Sequence, residues 1–251
     1  MNTGPRADLR TLAFGDLETG LWGAALGSAE ALVAVGSLDC HNPIPATPVR
    51  LQDAVGAGAA GEADWELTGP GLQLRLTPHR ATPSDPAGDQ FAQLCRVRGS
   101  VVVAGAQREV DCLGLRSYAA DVDLSSLESA RQVLAWFAPD DGIALSSRRP
   151  RGAKGHDRDT IKAVVLEPDG PVAVAEGRLS TTYAGFGVPE RVGLELWLTE
   201  EEDQFPRRVS GEALGVGADG QALDLAVGLH PFRCHSRGRD GGGAYLVARP
   251  R

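Results

Sequence analysis

Residues 91–147 read FAQLCRVRGSVVVAGAQREVDCLGLRSYAADVDLSSLESARQVLAWFAPDDGIALSS. The apolar runs FAQLCRV and SVVVAG flank an Arg-Gly-Ser corner, and REVDCLGLRSYAADVDL follows at once. Strand-length runs bounded by Gly, Asp and Ser are the mark of β-structure joined by short turns. LAWFAPDDGIAL at the end reads as a hairpin with Asp-Asp-Gly at its turn. One interruption is expected. SSLESARQVLAW, residues 125–136, offers Ser125 or Ser126 as a cap and apolar Leu127, Val133 and Leu134, so its first part is predicted as helix.

The same pattern extends outward in both directions. Residues 11–38 are short apolar segments separated by Gly-Asp, Thr-Gly and Gly-Ser, which is turn chemistry between strands. In ADWELTGPGLQLRLTPH, Leu72, Leu74 and Leu76 alternate with Gln73, Arg75 and Thr77, and Gly69-Pro70-Gly71 supplies the turn. VGLELWL alternates likewise, so Leu194, Leu196 and Leu198 are also expected to face inward. Residues 39–61 carry Pro43, Pro45, Pro48 and GAGAAG and read as a long loop, either over a cavity mouth or without fixed structure. RRPRGAKGHDRD, residues 148–159, reads as a boundary or a lid. The pattern as a whole is all-β and antiparallel, a sandwich or barrel with little helix.

The 251 residues suffice for one large domain or two small ones. A net charge of -8 argues against nucleic acid, which needs clustered cation. MNTGPRADLR has no apolar region behind its charges, and no apolar run could serve as a transmembrane segment; a soluble, cytoplasmic protein is expected. Cys40, Cys95, Cys112 and Cys234 are widely spaced, with no CxxC pair, and are expected to be buried free thiols. HDRD at residues 156–159 has no second histidine at ligand spacing, so no metal site is expected. His41, His79, His230 and His235 are read as surface residues.

No dinucleotide, P-loop, zincin or nucleophile-elbow signature is present. What remains is an acidic cluster, Asp111, Asp121 and Asp123, with Arg116 beside it. Each Asp has a plain use as a turn cap. Turned into an apolar barrel, an Asp would instead be held protonated and could give its proton to an alkene or carbonyl. Asp111 and Arg116 are the expected pair, with Gly114 leaving room for both to reach one mouth. Trp22, Trp65, Trp136 and Trp197 are candidate cavity walls.

REVDCLGLRSYAADVDL, followed by the aromatic strand LAWF and an Asp-Gly, resembles the central block of AttH-like proteins. That group includes carotenoid hydratases and related lipocalin-type hydratases and cyclases. Gly114, Arg116 and Ser117 fit the frame of that block, as do Trp136, Phe137, Asp141 and Gly142. GRLSTTYAGFGVPERVGLELW is similar to the second-barrel strands of such proteins. The Asp-His pair that follows the arginine in the family is missing, and Ser117-Tyr118 stands where His-Ser-Trp is expected. The resemblance implies two consecutive lipocalin-like (calycin) barrels or half-barrels, over residues 1–124 and 125–251. It implies a hydrophobic isoprenoid- or polyketide-like ligand in their cavities. A cofactor-free hydratase or cyclase is expected, with Asp111, Arg116, Asp121 and Asp123 as its catalytic residues and Tyr118, Trp136, Phe137 and Trp197 lining the ligand. Two other expectations stand beside it: a carrier with the same cavity and no working acid, and a structural β-sandwich with a protein partner.

Overall fold

The computed structural model describes residues 6–38, 46–54, 63–79, 90–155, 159–198, 205–215 and 217–251. Eight antiparallel strands close into a barrel: β1 (Arg6–Asp16), β2 (Leu21–Gly27), β3 (Glu30–Ser37), β4 (Thr47–Asp53), β5 (Trp65–Gly69), β6 (Leu72–Pro78), β7 (Gln90–Val103) and β8 (Ala106–Asp123). A 3-10 turn at Leu124–Ser126 leads into the second sheet. Its strands are β9 (Leu127–Ala138), β10 (Asp141–Pro150), β11 (Thr160–Glu167), β12 (Gly170–Ala173), β13 (Glu176–Tyr183), β14 (Pro189–Trp197), β15 (Arg207–Ala213), β16 (Ala218–Ala222), β17 (Leu225–Ser236) and β18 (Arg239–Pro250).

Nine of these run in the order β12-β11-β10-β9-β18-β17-β15-β14-β13, with β16 paired to β17 beside them. The two ends of that order are consecutive in the chain. Between them, the Val174 N–H donates to the Ala163 carbonyl at 3.2 Å and the Ala175 N–H to the Trp197 carbonyl at 2.8 Å. The sheet therefore curls into a half-barrel. All-β, antiparallel architecture with little helix is what the turn-bounded runs required.

The two-residue period of a strand sorts the core into three clusters. Leu12, Phe14, Leu74, Leu76 and Cys95 fill the barrel. Val133, Ala135, Leu194, Leu196 and Tyr245 fill the concave side of the half-barrel. Alternate residues of the same strands, among them Ala13, Leu26, Leu134, Trp136 and Leu246, form a third cluster in the seam between the two units. Gly114 belongs to the close approach of β1 and β8: a Cβ there would lie 2.7 Å from the Ala13 carbonyl oxygen and 2.9 Å from Val97 Cγ2.

Four local expectations need correction. The predicted helix is only the 3-10 turn, because Asp123 Oδ1 accepts from the Ser125 and Ser126 N–H groups and β9 then pairs with both β10 and β18. Two ladders outweigh a local helix preference. The loop read over residues 39–61 contains β4, where Val49 and Leu51 alternate into the core; its flanking parts lie outside the described residues. Leu198 is partly buried, at the edge of the core that holds Leu194 and Leu196. His230 is buried rather than superficial, and burial lowers its pKa.

Candidate functional site

A cavity of ≈290 Å³ opens in the seam, where β1, β7 and β8 of the barrel face β9, β10, β11 and β18 of the half-barrel. Small-molecule sites begin at about this size, ~300–1,000 Å³. Its walls are mostly apolar: Leu9, Phe91 and Ala92 from the barrel, Ala144, Val164 and Leu246 from the half-barrel. Ala144, Ser146 and Arg148 reach it together because alternate residues of β10 share one face.

Three of the polar side chains of the cavity are connected to one another. Thr11 Oγ1 lies 2.5 Å from Ser117 Oγ, and Gln132 Nε2 donates to Ser117 Oγ at 2.6 Å. Barrel and half-barrel thus meet at one serine hydroxyl. Tyr118 OH donates to Asp8 Oδ2 at 3.0 Å, and burial, followed by that contact, raises the phenol's pKa. Arg148 and Lys162 supply positive charge on the half-barrel side, as does Arg131, which is paired with Asp159. Burial lowers the Arg148 pKa, and no described carboxylate forms an ion pair with it. None of the described lining residues is Asp, Glu or His.

Behind this wall, inside the barrel, Arg116 is fully buried. Its Nε and Nη2 donate to Gln93 Oε1 at 3.0 and 2.7 Å, and its Nη1 donates to the Ala63 carbonyl at 2.5 Å. The guanidinium lies 4.9 Å from the Trp65 ring centre and 5.5 Å from that of Phe91. Burial pulls its pKa down to about 10, so it stays charged at neutral pH. Phe91 stacks on Tyr118 at 5.4 Å and carries this aromatic block to the cavity.

The structure does not bring the expected acids to this cavity. Asp111 and Arg116 are five residues apart on β8 and so point to opposite faces. Asp111 is exposed outside the barrel and paired with Arg96 and Arg98, the Arg96 bond being the larger cause of its lowered pKa. Asp121, at φ 50°, pairs with Arg6 in solvent. Asp123 caps the 3-10 turn, and its contacts with Ser125 come first in lowering its pKa. Of the expected ligand-binding residues, Tyr118 lines the cavity. Trp136 is packed in the seam over Gly242, where an added Cβ would lie 2.6 Å from the indole. Phe137 lies under Arg207 at 5.7 Å, and Trp197 under Arg178 at 4.7 Å. None of these three lines the cavity. The residues that sequence reasoning missed are Gln132, Arg148 and Lys162; Ser117 was singled out only as part of the family frame. Among the described residues no group of three His, Cys, Asp or Glu side chains could hold a metal ion, and no helix is long and apolar enough to cross a membrane.

No protein-family model and no curated protein sequence matches the chain. Solved structures do. An AttH candidate from Nitrosomonas europaea superposes with a TM-score of 0.65 at 9% identity, covering 97% of this chain and 92% of that one. The chain has the double-lipocalin-like fold. Kievitone hydratase from Nectria haematococca superposes with a TM-score of 0.61 at 9% identity over 98% of this chain and 91% of the hydratase. CghA in complex with Sch210972 gives 0.61 at 10% identity over 97% and 89%. At such identities the likeness is one of fold, a double-lipocalin-like fold that a named hydratase shares.

Proposed function

We propose that this protein is a hydratase- or cyclase-type enzyme whose substrate, a hydrophobic polyketide-like molecule with a carbonyl at one end, binds in the seam cavity. The observation that carries this reading is the composition of the cavity wall. It is mostly apolar, bears Arg131, Arg148, Lys162 and Gln132 from the half-barrel and Ser117 from the barrel, and has no carboxyl or imidazole among its described residues. A saturated or purely olefinic isoprenoid would need a strong acid to start its chemistry, and the described wall offers none. A carbonyl conjugated to a carbon chain needs only a donor at its oxygen. Water or an internal hydroxyl adds to the far carbon of the conjugated C=C bond, whose π electrons shift to the carbonyl oxygen, where a guanidinium or hydroxyl stabilises the charge. The nucleophile's proton passes to solvent, and a proton from solvent is returned to the adjacent carbon as the carbonyl re-forms. Apolar walls fold the rest of the molecule and hold the reacting atoms close. Apart from water and the substrate, the reaction proposed uses only groups that the chain itself supplies. The units meeting here, residues 1–124 and 125–251, are proposed to be the two domains of the protein. The three cysteines among the described residues, Cys95, Cys112 and Cys234, are buried free thiols and support a cytoplasmic setting; Cys40 lies outside the described residues.

The carrier reading shares the cavity and differs in turnover. The test is incubation with linear enones of polyketide type, with product followed by mass spectrometry. An enzyme forms product faster than buffer does, and Arg148→Gln lowers kcat/KM at least tenfold. Saturable binding with no rate above buffer sinks the enzyme reading and leaves the carrier.

A further inference from the structure

The concave side of the half-barrel holds a second cavity, of ≈300 Å³, which shares only Arg131 with the lining of the seam cavity. Ser129, Arg131, Arg149, Asp159, Tyr183 and Arg249 line it, over a floor of Leu179 and Val247. The convergence follows from strand parity. Arg131 is two residues from Val133, Arg149 four from Leu145 and Arg249 four from Tyr245, and all three reference residues face the concave core.

Two of the arginines are fixed. Arg131 Nη2 donates to Ser147 Oγ at 3.1 Å and pairs with Asp159 Oδ2. Arg149 Nη1 lies 3.4 Å from Asp159 Oδ1, and its Nη2 donates to the carbonyls of Ala153 at 3.3 Å and Gly155 at 2.8 Å. Glu128, half exposed, stands 3.6 Å from Arg149 Nε and is not a lining residue. Arg249 forms no ion pair with a described residue. Tyr183 OH lies 3.3 Å from Tyr245 OH, which lies 3.1 Å from Thr181 Oγ1, so hydroxyl groups flank the guanidinium cluster. Three guanidinium groups therefore line a cavity in which Asp159, shared by two of them, is the one carboxylate among the described lining residues.

We propose that this cavity is an oxyanion site, which takes the phosphate or carboxylate group of a small molecule between Arg131, Arg149 and Arg249. Guanidinium groups are weakly hydrated and bind planar or tetrahedral oxyanions through paired N–H donors. Arg131 and Arg149 are held in place before the anion arrives, which reduces the entropy lost on binding. Leu179 and Val247 offer contact to a short carbon skeleton.

Arg249 lines this cavity and not the seam, and it is exposed, so its replacement leaves the core and the seam cavity intact. The experiment is isothermal titration of inorganic phosphate, and separately of succinate, into the full chain in chloride buffer of matched ionic strength. The expected result is saturable one-site binding of at least one anion, the tighter one identifying the headgroup. Arg249→Gln weakens it about tenfold or more, as loss of a charge-assisted hydrogen bond does. Arg191→Gln, at an exposed arginine paired with Glu212, leaves it unchanged. Absence of saturable binding by either anion, or equal binding by wild type and Arg249→Gln with native circular dichroism, overturns the proposal.

Discussion

Gln132 Nε2 donates to Ser117 Oγ at 2.6 Å, from the half-barrel to the barrel, at the edge of the seam cavity. Ser117 Oγ also meets Thr11 Oγ1, so one hydroxyl joins β1, β8 and β9. A buried donor left without its acceptor costs about 1–3 kcal/mol. Ser117→Ala is therefore expected to lower unfolding stability by about that amount, read from the urea midpoint at constant slope. An unchanged midpoint would mean that the contact does not hold the two units together.

Arg116 is the largest charged group inside the barrel, and its partners are oxygen atoms and aromatic faces. Arg116→Ala takes three donated hydrogen bonds from Gln93 Oε1 and the Ala63 carbonyl and leaves a cavity, and a loss of about 3–5 kcal/mol is expected. Arg116→Lys is expected to recover only part of it, since an ammonium cannot reproduce the fork that reaches Gln93 and Ala63 together. Chemical denaturation of both variants checks this, and a fully stable Arg116→Lys would contradict it.

The thiols predict an alkaline limit to stability. Burial pushes Cys95, Cys112 and Cys234 up to about 12, from an ordinary value of 9.0. Between those values the unfolded chain loses protons that the native chain retains. The stability contributed is thus complete below pH ~9 and falls as pH rises toward ~12. Urea midpoints should decline over that window, and less steeply in Cys95→Ala than in wild type relative to their values at pH 7. In native protein Cys95, Cys112 and Cys234 should also react slowly with a thiol reagent at pH 8, and rapidly once the chain is unfolded, as peptide mapping of the labelled sites would show.

The architecture was legible because burial in a strand obeys parity. Leu72, Leu74 and Leu76 announce their inner face, and the structure buries all three. Parity also separates Asp111 from Arg116, whose odd spacing on one strand puts them on opposite faces; β8 runs on through Gly114 without the turn that would join them. Prolines concealed β4, although Val49 and Leu51 carry the alternation. LESARQV has helical local preference, and only its two pairing partners, β10 and β18, distant in sequence, make it a central strand. The seam site was least legible. Gln132, Arg148 and Lys162 are ordinary surface residues in a linear reading, and they become a site only when barrel and half-barrel pack together.

Arg148 is a cation of the seam with no ion-pair partner among the described residues. An apolar fluorescent probe with a carboxylate is expected to bind Arg148→Gln about tenfold more weakly than wild type, while an uncharged analogue binds both alike. Equal affinity of the two proteins for the charged probe would place Arg148 outside the binding site.

The central claim, a ligand between barrel and half-barrel, is tested most directly by filling that space. Ala144 lines the seam cavity from β10 and does not line the concave one. Titration of an uncharged apolar fluorescent probe into wild type and Ala144→Phe, with thermal unfolding of both as the check on folding, makes the comparison. Saturable binding by wild type and its loss in a folded Ala144→Phe is the predicted result. Undiminished binding by the filled variant, or no saturable binding by wild type, would contradict the account.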